Sequence, residues 1–255
     1  YYGVKLFDRI SRKLYLTENG RRALQYARHI IDLLDEMEQG VRDVDAMGRL
    51  KVGTSITIGT YLLPGYIKKL KQQYPALKVE ASIANSGTIE QQILDNDIDV
   101  GIIEGVAHSP FILSESFAGD RLVFICPAGH EFAGKTLEEL SEVRNQDFIL
   151  REKGSAGREI FDGILAAQEL NVRPVWQSAS NQVILQGVKA GLGISILPYF
   201  LVRQDIREGE LAEFRIKDLA LNRKYSVIYH KNKFLPRSAR TLMELCKEGN
   251  GADRL

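Results

Sequence analysis

Three short stretches carry hydroxyls where a strand gives way to a helix: Ser55-Ile56-Thr57-Ile58, Ser86-Gly87-Thr88 and Gly154-Ser155-Ala156-Gly157. At such a turn the first backbone N–H groups of the helix are free, and together with a hydroxyl they can hold an anion. The same residue types also serve as plain helix N-caps, so each stretch alone fits either role. Three in equivalent places point to a shared anion-friendly cleft. Glu104 ends an apolar run, Ile98 to Ile103, and is expected either to face that cleft or to form a salt bridge between the halves of the molecule. Beside Arg151, a carboxylate in the cleft would suit an amino-acid-like or zwitterionic ligand. Catalytic signals are weak. Cys126 and His130 form a lone pair, whereas a zinc site takes about four ligands. His29, His108, His130 and His230 are scattered. The glycine-rich Gly187–Gly193 run lies late in a helix and before a strand, the reverse of a phosphate cradle. No enzyme, metal or cofactor is expected.

Alternating and helical apolar periods place these turns. Leu50–Ile56, Leu77–Ile83 and Ile98–Ile103 read as strands, and the run from Thr60 to Pro75 and the segment after Ser86 read as helices. This β-α-β-α-β order implies a parallel sheet. A second block repeats it: strands at 121–126 and 147–152, a helix from Ala156 to about Leu170, a strand at Arg173–Ala179, a helix at Asn181–Ala190, and a strand at 193–198. A strand at Lys224–His230 and a helix at Arg237–Cys246 return to the first block. The expected organisation is a lobe of 48–117 plus 221–248 and a second lobe of 118–220, crossed near Phe117–Asp120 and Asp218–Arg223.

The N-terminal part differs in kind. Residues 4–16 read as a hairpin with a charged tip. Residues 1–28 hold seven Lys and Arg against two Asp and Glu, a local excess of five in a 255-residue chain of net charge +1. Clustered cations of this kind suit a phosphate backbone, although a charged loop facing water has the same composition. From Thr17 to Met47 the small and apolar residues Ala23, Ala27, Ile30, Leu34, Met37, Val41 and Val44 recur in alternating steps of four and three. Such a seam fits an amphipathic helix lying on its own domain or one buried against a second helix; with the elements on either side, residues 17–47 are expected to form a dimerising rod. Thr17 stands at the N-cap, while Gly20 occupies the place where a capping box would hold Glu or Gln. Hydrophobic residues make up 44% and charged residues 26%, ordinary for a globular chain without membrane spans. Two distant cysteines suit a reducing, cytoplasmic setting. The chain opens without Met, and residues upstream of it are expected.

The run Gly3-Val4-x-Leu6-Phe7-x-Arg9, followed by Arg12 and Leu16-Thr17-x-x-Gly20, resembles the LysR-type transcriptional regulators. So do the fragments GLGISILP and IDVGIIEG. The resemblance implies that residues 1–16 end a winged helix-turn-helix, with Arg9, Arg12 and Lys13 touching DNA, and that the rod is a linker helix. It implies an α/β fold of two Rossmann-like lobes of the periplasmic-binding-protein type over residues 48–248. A small effector would bind between them, at Ser55, Thr57, Ser86, Gly87, Thr88, Glu104, Arg151 and Ser155. Members of the cysteine-biosynthesis type use hydroxyls at positions matching Ser55, Thr57, Ser86 and Thr88, but carry an amide side chain where Ile58 stands. The family further implies promoter DNA, RNA polymerase and a homodimer or homotetramer as partners, and no membrane. The rivals are a solute-binding protein of a transport system, which would lack the basic hairpin and rod, and a two-lobed enzyme, which would need a coherent acid/base or nucleophile set.

Overall fold

A computed structural model describes residues 3–10, 13–41 and 48–248. Strands β1 (Phe7–Ile10) and β2 (Lys13–Leu16) pair antiparallel, Phe7 opposite Leu16. Arg12, at the expected tip, lies outside the described residues. Helix α1 follows, Glu18–Val41. Thr17 Oγ1 accepts the N–H of Gly20 at 2.9 Å and donates to the Leu6 carbonyl's neighbour, Lys5 O, at 2.7 Å. The Leu6 carbonyl itself accepts the N–H of Thr17 at 3.1 Å. A Cβ on Gly20 would lie 1.9 Å from that carbonyl oxygen. Close approach of the hairpin to the first turn of α1 therefore explains the glycine where a capping box would want a long side chain. Gly20→Ala must push the hairpin off the rod, at about 1–3 kcal/mol for overpacking. The amide of Thr17 should then exchange with solvent roughly tenfold faster or more; unchanged protection would show that the contact does not hold the junction.

The first lobe begins with β3 (Arg49–Ser55), α2 (Ile56–Tyr61), α3 (Leu63–Gln73), β4 (Lys78–Ala84), α4 (Ser86–Leu94) and β5 (Val100–Glu104). Strand β3 is parallel to both β4 and β5. The helical run expected from Thr60 starts earlier and is split at Leu62. Pro64 in the first turn of α3 has no N–H to continue a helix arriving from α2. Then comes β6 (Ile112–Pro127), sixteen residues long, followed by β7 (Thr136–Leu137), a 3-10 turn (Leu140–Val143), β8 (Phe148–Arg151), α5 (Ala156–Ala167) and β9 (Pro174–Ser178). The chain continues with α6 (Asn181–Lys189), β10 (Ser195–Pro198), α7 (Tyr199–Arg207), β11 (Leu211–Ile216), β12 (Asn222–His230) and α8 (Arg237–Glu248).

One curled sheet runs through both halves in the order β4-β3-β5-β12-β6-β11-β7, with β10 also on β6. Strand β12 pairs antiparallel with β6 over Ile112–Arg121. Beyond that, Leu122–Pro127 of the same strand pair with β10 and β11. The partners change where Leu122 N–H meets Leu221 O at 2.7 Å. The parallel reading holds for β3, β4 and β5 and for β8 with β9. It fails for β10, which lies antiparallel to β6, as do β11 and β12.

Apolar side chains pack on both faces. Leu50, Val52, Val100 and Ile102 of the sheet cluster with Leu70 of α3 and Leu242 of α8, and Ile103 and Ile228 with Ile89 and Ile93 of α4. Phe124, Phe148, Phe161 and Phe214 centre one core of the second half, and Ile125, Ile149, Ile184 and Leu197 the other.

Candidate functional site

Helix α2 follows β3 directly, so its first turn projects from the carboxyl end of a central strand, where ligands sit in open α/β sheets. Facing it is the first turn of α6. Between them lies a cavity of about 390 Å³, lined by Ile56, Thr57, Thr60 and Tyr61 on one side and Ala179–Gln182 and Leu185 on the other, with Leu197 and Leu201 completing it. Asn181 Nδ2 lies 3.5 Å from Thr57 Oγ1 and is placed to donate across the cleft. Its Oδ1 accepts from Arg151 at 2.9 Å. Ser180 caps α6, its hydroxyl accepting the N–H of Val183 at 3.4 Å. Ser55, at the N-cap of α2, is 1% exposed, and its hydroxyl has no hydrogen-bond partner among the described residues. A buried orphan of that kind costs free energy unless something completes it.

The other expected residues lie elsewhere. Asn85, not Ser86, caps α4, accepting the N–H of Thr88 at 2.9 Å. Ser86 Oγ donates to Glu104 O at 3.1 Å. Gly87 N–H donates to Gly154 O at 3.0 Å, so the first turns of α4 and α5 meet backbone to backbone. Gly154 has φ +85°, and a Cβ there would come within 3.2 Å of Asn85 Oδ1, so only glycine fits. The N–H groups of Gly87 and Thr88 are thereby occupied. Ser155, buried, caps α5 without a side-chain cap bond. None of Ser55, Ser86, Gly87, Thr88, Glu104, Arg151 or Ser155 lines the 390 Å³ cavity; Thr57 does. Arg151 is held by its neighbour Glu152 at 2.9 and 3.1 Å and orients Asn181 instead of standing open to a ligand. Sequence reading passed over Ser180 and Asn181, although a serine three residues before an N–H it caps, just ahead of a periodic run, is the signal used for the other turns.

Of the two roles open to Glu104, the geometry has the ion pair. Arg223 grips Asp120 through two bonds of 2.6 and 2.7 Å and lies 3.5 Å from Glu104 Oε2, all three side chains being less than a tenth exposed. Burial disfavours the charged guanidinium, but Glu104 and Asp120 outweigh it and raise the pKa of Arg223 above its ordinary value. A second link joins the halves at the surface: His108 Nδ1 lies 3.1 Å from Glu90, and its Nε2 lies 3.7 Å from Glu159 of α5.

Cys126 and His130 are no metal pair. The thiol of Cys126 is pushed up to about 11 by burial, and that of Cys246 to about 12. Both ring nitrogens of His130 are engaged, by Gln146 Oε1 at 3.3 Å and the N–H of Phe132 at 3.1 Å. Among the described residues Asp205, Glu208 and Glu210 form a cluster of carboxylates, but the Lys189 ammonium bonds Asp205 and Glu210 and supplies the charge a cation would bring.

At the N-terminal end Arg9 and Lys13 are exposed, with no ion-pair partner among the described residues. Along α1, Ile30, Leu34 and Met37 are 65%, 52% and 57% exposed. Ala27 is exposed and Ala23 partly buried. The side chain of Val41, and Val44 altogether, lie outside the described residues. Three large apolar side chains of the expected seam thus face water on one helix face.

A two-lobed sensor fold behind a rod and a basic hairpin defines a class, and comparison with known proteins gives its family. Residues 45–251 match the LysR substrate binding domain. The chain is 34% identical over 250 residues to the uncharacterized HTH-type transcriptional regulator YeiE of Escherichia coli K12, covering 97% of this chain and 84% of that protein. The regulatory domain of Synechocystis PCC6803 CcmR in complex with 2-PG superposes with a TM-score of 0.71 at 24% identity, over 80% of this chain and 98% of that one. The effector binding domain of QuiR in complex with shikimate gives 0.70 at 15% identity, over 82% and 99%. The chain belongs to the LysR-type transcriptional regulators. These relatives are regulators and not transport proteins, which sets the solute-binding alternative aside. Among the described residues no helix is long and apolar enough to cross a membrane.

Proposed function

We infer that this regulator senses a small anionic or amino-acid-like metabolite in the 390 Å³ cavity between α2 and α6. The observation that carries the reading is the convergence there of Thr57, Ser180 and Asn181 from opposite lobes, beside the orphaned hydroxyl of Ser55. Two facing helix N-termini favour negative charge. The complexes of related domains with 2-PG and shikimate support a small polar ligand. Lobes of 48–117 plus 221–248 and of 118–220 close on it, and the closure shifts an equilibrium between quaternary arrangements by the ligand's differential affinity for them. Rods 17–47 pair through the seam, further pairing of the lobes gives a tetramer, and Arg9, Arg12 and Lys13 touch the DNA backbone. The altered geometry on promoter DNA changes contact with RNA polymerase, all in the cytoplasm. Ser86, Gly87, Thr88, Glu104, Arg151 and Ser155 support the cleft from behind.

A thermal-shift screen of small acids and amino acids tests this. A true effector raises the melting temperature of the parent, and Thr57→Val with Asn181→Leu removes the shift. A double variant that responds like the parent overturns the assignment of the cavity.

A further inference from the structure

A second cavity, larger than the first at about 520 Å³, lies outside the cleft, between α1 and the first lobe. One wall is the rod, through Arg22, Gln25 and Tyr26; the other is the lobe, through Leu94, Phe111 and His230. The volume lies within the ~300–1,000 Å³ of small-molecule sites. Its chemistry is specific. The Phe111 and His230 rings stack within 6° of parallel, with centroids 6.3 Å apart, and form an aromatic wall. Tyr26, opposite on the rod, is largely exposed. Lys231 Nζ stands 4.5 Å from the Phe111 ring centre and adds positive charge to that side. Arg22 is the lining residue with a fixed charge, and it has no ion-pair partner among the described residues.

The pairing seam of α1 does not compete for this space. At 3.6 residues per turn, positions 22, 25 and 26 centre roughly 110° around the helix from the seam 23, 27, 30, 34 and 37. Two rods can therefore pair while the cavity stays open.

The geometry points to a second ligand site here, for an aromatic carboxylate: a flat apolar body between Tyr26 and the Phe111–His230 wall, with its carboxylate on Arg22. Such a ligand touches both the rod and the sensor lobe, so its occupancy sets the angle between them. It regulates independently of the interlobe cavity.

The test uses the full chain, with 2-naphthoate and its neutral amide as probes, followed by ligand-observed NMR and calorimetry. The parent binds 2-naphthoate at least ~10-fold more tightly than the amide, the range of a charge-assisted bond. Arg22→Gln reduces 2-naphthoate to the level of the amide. Gln25→Trp, a change at an exposed position that fills the cavity, removes binding of both probes. Thr57→Val with Asn181→Leu leaves both intact, which separates this site from the proposed effector cavity. Failure of the parent to bind 2-naphthoate, undiminished binding in Arg22→Gln and Gln25→Trp, or loss of binding in the cleft double variant would each overturn the proposal.

Discussion

Arg223→Met unfolds at a denaturant concentration corresponding to a loss of about 3–5 kcal/mol, the cost of removing one partner from a buried ion pair. The size follows from the site. Arg223, Glu104 and Asp120 are all nearly inaccessible, and the guanidinium carries the sole positive charge among the three. Its removal strands two carboxylates at the point where β5, β6 and β12 join the lobes. Glu104 Oε1 already lacks a hydrogen-bond partner among the described residues, so the site has no reserve of donors there. A triple change, Arg223→Met with Glu104→Leu and Asp120→Leu, should recover most of the loss, because a buried ionic group replaced whole by apolar side chains is near neutral. Equilibrium unfolding in urea measures both. A single variant within 1 kcal/mol of the parent would mean that solvent reaches the triad and that the pairing is incidental.

Ile30→Asp with Leu34→Asp splits the proposed tetramer at its rods and leaves at most a lobe-paired dimer, about twice the 28.7 kDa of one chain. Both side chains already face solvent in the single chain, so the change costs the subunit nothing internally. In a paired rod, each copy would bury two carboxylates in an apolar seam, and the dissociation constant should rise at least ~100-fold. Sedimentation equilibrium reads the mass, and an unaltered melting profile of the lobes shows that they remain folded. A double variant that sediments like the parent would remove the rod as the dimer contact.

The elements with a clean period are legible in the sequence. Helix α1 and the order β3-α-β4-α4-β5 follow from spacing alone, and the elements of the lobe each bury one face on the sheet. The first half of β6 was hidden: Ser114, Glu115 and Ser116 give it no apolar run, since that part of the strand is held by β12 and half open to solvent. Strand β11 and helix α7 were passed over in a charged stretch whose buried positions are few, Val202 among them. The candidate site was legible as a set of turns but not as a cavity. Which helix ends oppose each other depends on contacts between residues far apart in the chain, Gly87 with Gly154 and Thr57 with Asn181, and no local pattern carries that. Gly20 is the instructive case. Its neighbours suggest a missing cap, whereas the cause is the Leu6 carbonyl fourteen positions earlier.

The passage of β6 and β12 from one lobe into the other has a mechanical consequence. Halves tied by a slack tether could swing through wide angles at little cost. Here the tie is a hydrogen-bonded ribbon, whose compliant coordinate is torsion, so a bound molecule would wring the two bodies about the strand direction through a small arc. A long lever is what renders so slight a rotation visible at a distance, and the 24-residue α1 is built as one.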